Sequence, residues 1–453
     1  MTTLNQKTKF KETEIGFIPE EWEVKELGCL VKLKHGYAFE GQYFSDIETP
    51  HILLTPGNFK IGGGFNYNKY KYYAGNIPED YILTPFDLII TMTDLSPGGA
   101  TLGYSALVPD DQRIYLHNQR IGLVEIHSKL IEKNFLYWWL RSNIYRNQIL
   151  GTATGTTVRH TSPGRIEDTL VALPCENEQK AIAEILSSLD EKIELNRRMN
   201  KTLEEIGKAL FKRWFVDFEF PNEDGKPYKS SGGKMVDSEL GEIPELATTF
   251  ILSQNIDTIS GDWGKDHSSG KFTEEVLCIR GTDLPELAMG NYGKPPTRFI
   301  KPNPEKILQI GDIIIEISGG STNQSTGRVL LITKQLLQRY NAPLICSNFC
   351  KILRPKKSLL SSIFYTYLSF LYNNDHFFQY ENGTTGIKNL NLDIFLESTY
   401  LVIPSEKELL NLANLLEFYE SIIQKNGQEC FFLRSIRDSL LPKLISGRIR
   451  TTK

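Results

Sequence analysis

The chain has 453 residues, 40% of them hydrophobic and 23% charged, with a formal net charge of −4. This composition describes a folded globular chain with room for two or three domains, and it excludes bulk disorder and a uniformly basic coat. Any surface that meets nucleic acid must therefore concentrate its positive charge locally.

The N-terminus is rich in Lys and Glu and lacks the apolar core of a secretory signal. The most apolar stretch, Leu359 to Tyr372, is too short and too Ser-rich to span a bilayer. Six cysteines are scattered at 29, 175, 278, 346, 350 and 430, and only Cys346 and Cys350 lie close together, without the second pair or His cluster of a zinc site. Reduced thiols in a soluble, cytoplasmic protein without a membrane partner are expected.

In chain order the first informative segment is Glu14-Ile-Gly-Phe-Ile-Pro-Glu20, because it returns as Glu239-Leu-Gly-Glu-Ile-Pro-Glu245, a shift of 239 − 14 = 225. The shift persists: His51-Ile-Leu-Leu aligns with Val276-Leu-Cys-Ile, and Asp87-Leu-Ile-Ile with Asp312-Ile-Ile-Ile. Further on, Gly155-Thr-Thr recurs as Gly383-Thr-Thr (228) and Pro174 as Pro404 (230). A period this long marks two whole domains rather than solenoid units. Two similar surfaces related by an approximate two-fold axis are expected, and two unequal reading heads suit an asymmetric, two-part target.

Within 14–173, strand-like runs at Ile52–Leu54, Leu88–Ile90 and Ile121–Val124 are punctuated by Gly, Pro and Asn. Asn134-Phe-Leu-Tyr-Trp-Trp-Leu-Arg141 reads as a helix, with Ile363-Phe-Tyr-Thr-Tyr-Leu368 as its counterpart. After Pro174, apolar residues at Ile182, Ile185, Leu189, Met199, Leu203, Ile206 and Leu210 keep a 3–4 spacing. Residues 218–234 carry the Pro, Gly, Ser and charge of a linker. The portion 239–403 repeats the order of elements, and after Pro404 the seam reads Leu412, Leu415, Tyr419, Ile422, Leu433, Ile436 and Leu440. Asn196 and Asn426 interrupt the two seams at matching positions, the pattern of a coiled coil whose polar residues select register and partner. The two helices are expected to pair antiparallel as a ruler of about 60 Å.

The expected fold class is α+β: two homologous domains with pseudo-two-fold symmetry, each with one predominantly antiparallel sheet, separated by two long antiparallel coiled-coil helices. The expected boundaries are 1–174, a helix at 175–217, a linker at 218–238, a second domain at 239–404 and a helix at 405–453.

Motifs for chemistry are lacking. There is no phosphate-loop sequence, no Asn/Asp-Pro-Pro-aromatic segment of an amino-methyltransferase, no glycine-rich strand-to-helix turn and no metal-ligand spacing of histidines. Carboxylates such as Asp110 and Glu125 lack the Lys of a nuclease set. Polar loops remain. Thr156, Thr157 and Arg159 in the first half correspond to Thr384, Thr385, Lys388 and Asn389 in the second, a mix of hydroxyls, small residues and cations that suits phosphates. Asn118, Gln119 and Arg120, with Asn323, Gln324, Arg328 and Asn348, offer amides and guanidinium suited to adenine and guanine edges. Ordinary turn chemistry explains any one of these residues equally well; their recurrence in both halves points to a binding surface.

The ordered, duplicated motifs resemble the specificity subunit of type I restriction-modification systems. They include the two Ile-Pro-Glu segments, Gly36-Tyr-Ala-Phe39, Gly311-Asp-Ile-Ile-Ile315, Gly-Thr-Thr followed by a Leu-Pro or Ile-Pro step, and Lys212-Arg-Trp-Phe-Val-Asp-Phe218. The resemblance covers essentially the whole chain. It implies two target-recognition domains reading the halves of a split double-stranded DNA sequence, and spacer helices that dock two methyltransferase subunits, with two restriction/motor subunits joining them. It further implies no catalysis or cofactor in this chain, with S-adenosylmethionine, ATP and Mg used by the partners. The second copy departs at the start of its helix, where Ser405-Glu-Lys-Glu-Leu409 lacks the Gln of Glu178-Gln179. A protein-binding scaffold, or a nuclease or methyltransferase with unrecognised motifs, is the alternative reading.

Overall fold

A computed structural model describes residues 9–451 apart from 68–69, 95, 97, 156–157, 246, 322–323 and 384–387. The chain divides into two compact units, residues 1–191 with 434–453, and residues 192–433.

The first unit opens with a hairpin pairing Phe10–Thr13 with Gly16–Pro19, and Gly16 takes the positive φ (100°) that its tight turn requires. The Ile-Pro-Glu motif is thus a structural element: Ile18 and Trp22 are fully buried against Leu444 and Ile445 of the chain's last helix. A four-stranded antiparallel sheet follows, in the order 105–107, 88–91, 121–126, 31–35. A second sheet orders 44–45, 72–73, 51–53, 114–116 and 82–83, and its 51–53 and 114–116 strands run parallel. One core packs the antiparallel sheet and the helices Lys133–Trp139 and Asn143–Thr152 around Phe135, Trp138 and Trp139. A second core, around Ile52, Phe59, Ile89 and Tyr115, joins the two sheets. Ser142 caps the Asn143–Thr152 helix through the Tyr145 N–H.

The second unit repeats the four-stranded sheet strand for strand, but its other main sheet has three strands where the first unit has five. Its antiparallel sheet runs 329–331, 313–316, 350–355, 256–260, and its smaller sheet again contains a parallel pair, Leu277–Ile279 with Leu344–Cys346. The hairpin Met235–Ser238 with Gly241–Pro244 turns at Gly241, again at positive φ (89°). Each half therefore carries two main sheets where one is expected. The strands of the smaller sheet are short in the first half and carry no long alternation, so tertiary pairing defines them.

Two long helices, Glu176–Phe211 and Glu406–Ile445, complete the chain. In the first unit Asp190 is ion-paired with Arg437. In the second, Asn196 Nδ2 donates to Glu429 Oε2 at 2.7 Å and Asn426 Nδ2 to Asn200 Oδ1 at 2.9 Å. As position rises along one helix it falls along the other, so the two pair antiparallel.

The packed seam differs in detail from the sequence reading. Ile182, Leu186, Ile193, Asn196, Asn200, Gly207 and Phe211 are buried, whereas Ile185 and Ile206 are 38% and 39% exposed. On the second helix Leu412, Leu416, Ile423, Gln424, Gly427 and Cys430 are buried, and Ile436 is 48% exposed. Leu189, Leu203, Leu210, Leu415, Tyr419, Asn426, Leu433 and Leu440 flank the seam, half-buried. Apolar residues stand in adjacent stripes, and one helix read alone does not say which stripe faces its partner. No described helix is long and apolar enough to cross a membrane.

Candidate nucleic-acid interface

In each unit, a turn of the sheet is pressed against a glycine that cannot be replaced. A Cβ on Gly36 would stand 2.1 Å from the Asn118 carbonyl oxygen, and one on Gly261 would stand 2.0 Å from that of Ser347. These glycines lie 261 − 36 = 225 residues apart, so the duplicated backbone places the same turn in both halves. In the first, Tyr37 N–H donates to the His117 carbonyl at 2.8 Å and Gln119 N–H to the Tyr37 carbonyl at 2.9 Å. His117 is fully buried; burial pushes its pKa down to about 4, so the ring is neutral and its Nε2 lies 2.9 Å from the Ile121 carbonyl.

This scaffold sorts the expected residues by role. Asn118 is buried, and its Oδ1 accepts from the Arg120 N–H at 3.3 Å, so it shapes the turn. Gln119 and Arg120 are exposed at its tip. Together with His35, Thr93 and His160 they line a polar recess of about 290 Å³. Arg159 is half-buried and pairs through its backbone with Asp94, next to the Thr93–His160 pair whose side chains meet at 3.2 Å. Burial raises the Asp94 carboxyl, but N–H groups of Ser96 and Thr101 outweigh it and hold the group below the ordinary range. Asp94 thus ties Ser96 and Thr101 together as a fixed anion. Thr156 and Thr157 lie outside the described residues.

The second half uses its cations differently. Arg328 Nε donates to Oε2 of the buried Glu316 at 2.8 Å, and this hydrogen bond raises the guanidinium pKa. Lys388 Nζ meets the Glu381 carboxylate at 2.8 Å, and the same carboxylate accepts from Thr326 Oγ1 at 2.9 Å. Arg328 is held by Glu316 and Lys388 by the Glu381 that also holds Thr326, so neither cation is free to meet a ligand unless its pair opens. Gln324 donates to the Tyr372 hydroxyl at 3.0 Å. Asn348 and Asn389 are exposed, and Phe349 beside Asn348 is 48% exposed. Asn323, Thr384 and Thr385 lie outside the described residues.

A feature absent from the sequence reading is an aromatic and basic face on the first unit. Tyr37, Tyr43, Phe44 and Tyr67 are all more than a third exposed. Lys34 lies 5.1 Å from the Tyr81 ring, Lys71 5.6 Å from Phe44 and Lys60 5.8 Å from Tyr67. Exposed rings flanked by ammonium groups attract both phosphates and base faces. The interleaving of Tyr67, Tyr70, Lys71, Tyr72 and Tyr73 is its signal in the sequence. In the second unit Arg298 lies 4.5 Å from the half-exposed Trp263 ring, but it is buried and paired with Asp266, so it forms no counterpart of that face.

Residues 19–205 match the model of the type I restriction modification DNA specificity domain. The MjaIX specificity subunit of Methanocaldococcus jannaschii is 24% identical over 99% of this chain and 98% of its own length. Along nearly its whole length the chain is thus similar to specificity subunits of type I restriction-modification systems. A second M. jannaschii protein of the family, a putative MjaX specificity subunit, is 24% identical over 97% of this chain and 96% of its own. The crystal structure of an S subunit from M. genitalium shares the fold, with a TM-score of 0.57 at 16% identity and 98% of both chains covered. That likeness extends over the whole arrangement of duplicated sheets and long helices.

Proposed function

We propose that this chain is the non-catalytic DNA-reading subunit of a type I complex, one half of a split target being read by each half of the repeat. The observation that carries the reading is the duplicated turn: the same glycine-locked backbone presents Gln119 and Arg120 in the first unit and Asn348 in the second. Amide and guanidinium groups on fixed turns suit base edges, while Lys and Arg around them supply salt-dependent phosphate attraction. The long helices dock two methyltransferase subunits, and two restriction/motor subunits join that core; S-adenosylmethionine, ATP and Mg act in those partners. The length of the helix pair sets the spacer between half-sites.

The test is retention of duplex DNA by the chain assembled with its methyltransferase subunit. Joint replacement of Gln119 and Arg120 by Ala should relax preference at one half-site and leave the other intact. Equal loss on every sequence would reduce these residues to phosphate contacts, and unchanged preference would remove them from the reading surface.

A further inference from the structure

An ion site built around Asp190 in the first half is only partly repeated in the second. In the first unit Asp190, on the first long helix, sits between two arginines. Arg141 donates to its Oδ2 at 2.8 Å, and Arg437 is ion-paired with Oδ1. The shift of 230 that carries Pro174 onto Pro404 and Asn196 onto Asn426 carries Asp190 onto Glu420 and relates Arg437 to Gly207 (437 − 230). The shift of 229 that carries Phe135 onto Phe364 carries Arg141 onto Phe370. The second half therefore keeps the carboxylate and has lost both arginines.

A cavity of about 400 Å³ lies beside that carboxylate, lined by Glu417, Glu420, Ser358, Ser361, Thr333 and Lys334 among others. Ser361 is 6% exposed and its buried hydroxyl has no hydrogen-bond partner. Of the neighbouring charges, Glu204 is paired with Lys208 at 2.5 Å, and both Glu417 and Lys334 are exposed. Glu420 is partly exposed along the cavity wall yet closely surrounded by protein. Burial, and after it the charge of Glu204, push its pKa up to about 8 against the opposing pull of Lys208. The nearby Lys208 is already paired with Glu204, so Glu420 lacks a counter-ion of its own.

We propose that this cavity binds a guanidinium group, which occupies on Glu420 the place that Arg141 and Arg437 fill on Asp190. The planar donor fork of a guanidinium suits a carboxylate together with acceptor hydroxyls such as Ser361 and Ser358. The cavity volume admits an alkyl stem as well as the head. The group comes either from an arginine side chain of a partner protein or from a small free guanidine.

The full-length chain is titrated with N-ethylguanidinium chloride at millimolar concentrations, with sodium chloride at matched ionic strength as control, and its melting temperature is followed. A saturable rise beyond the salt control is expected, and Glu420→Gln should abolish it without lowering the melting temperature of the free protein. Gly207→Arg, which restores the arginine found at position 437 in the first half, should also abolish the response by filling the site from within. No saturable rise, or an equal rise in Glu420→Gln, would overturn the proposal. Where the rise is seen, mass spectrometry of small molecules released on denaturing the purified chain separates the sources. A stoichiometric guanidine identifies a free ligand, and none identifies a partner's side chain.

Discussion

Asn426 meets Asn200, and not its repeat-mate Asn196, across the two long helices, donating through Nδ2 to Asn200 Oδ1 at 2.9 Å. Asn200 in turn donates to the carbonyls of Ile423 at 3.0 Å and Met289 at 3.1 Å. This buried amide ties the helix pair to the 284–290 segment of the second unit. There, Gly427 leaves so little room that a Cβ would stand 2.2 Å from Gly290 backbone atoms. Asn200→Leu should cost about 1–3 kcal/mol, because it strands two carbonyls and the Asn426 amide. Urea unfolding followed by circular dichroism checks this, and an unchanged midpoint would show the amides to be dispensable.

Asp190 carries two arginines, so Asp190→Asn should destabilise the first unit by about 3 kcal/mol, the cost of leaving the buried Arg141 without its anion, whereas Arg437 keeps Asp438. The Asp190 carboxyl is raised by burial but lowered further by Arg141 and Arg437, with a net shift below the ordinary range. A depressed carboxylate stabilises the fold above its unfolded pKa, near 3.9, and that contribution is lost as pH falls through the folded value. The difference between wild type and variant, measured by urea unfolding across pH, should therefore be full at pH 7 and shrink below about pH 4.

Glu420 has the opposite sign. With its folded pKa raised to about 8, the native state holds a proton that the unfolded chain has released, and stability falls as pH rises from about 4.5 to 8. Glu420→Gln should be more stable than wild type at pH 8.5, by about 1–3 kcal/mol, and equal to it near pH 4. Parallel melting curves at the two pH values decide.

Arg328 and Arg120 should separate cleanly. Arg328→Ala leaves the buried Glu316 unpaired and should lower stability by about 3 kcal/mol. Arg120 is exposed at a turn tip, so Arg120→Ala should leave the melting temperature within about 1 °C, consistent with a surface change within ±0.5 kcal/mol, and reduce discrimination between DNA sequences by about 1–3 kcal/mol. Melting and competitive DNA binding on the same two variants give four numbers. A destabilised Arg120→Ala would assign that side chain to the fold.

The sequence carried the architecture because duplication is visible without coordinates. The two-domain repeat, the strands at 88–90 and 313–315 and the two long helices follow from repeated strings and apolar spacing, whereas the hairpins at Gly16 and Gly241 appear only in the structure. The seam was harder to read, since Ile185, Ile206 and Ile436 satisfy the same periodicity as the buried stripe beside them. The site was less legible still. Arg328 and Lys388 look like free cations in a string of letters, and only the fold brings them to Glu316 and Glu381. The pairing of Lys34, Lys60 and Lys71 with the Tyr81, Tyr67 and Phe44 rings comes from the fold, since each ring lies several residues or more from its ammonium group in the chain.

The ruler can be tested by changing the length of either long helix by whole turns within its exposed, unpinned stretches. The spacer between half-sites should change, and the half-sites themselves should not. An altered half-site with an unaltered spacer would remove the helices from that role.

The most direct measurement maps methylated adenines across the host genome after co-expression of this chain with its methyltransferase subunit. The account predicts one bipartite motif, two short half-sites around a fixed spacer, with Gln119/Arg120 variants relaxing one half-site alone. An uninterrupted motif, or no methylation from a stable assembled complex, would contradict it.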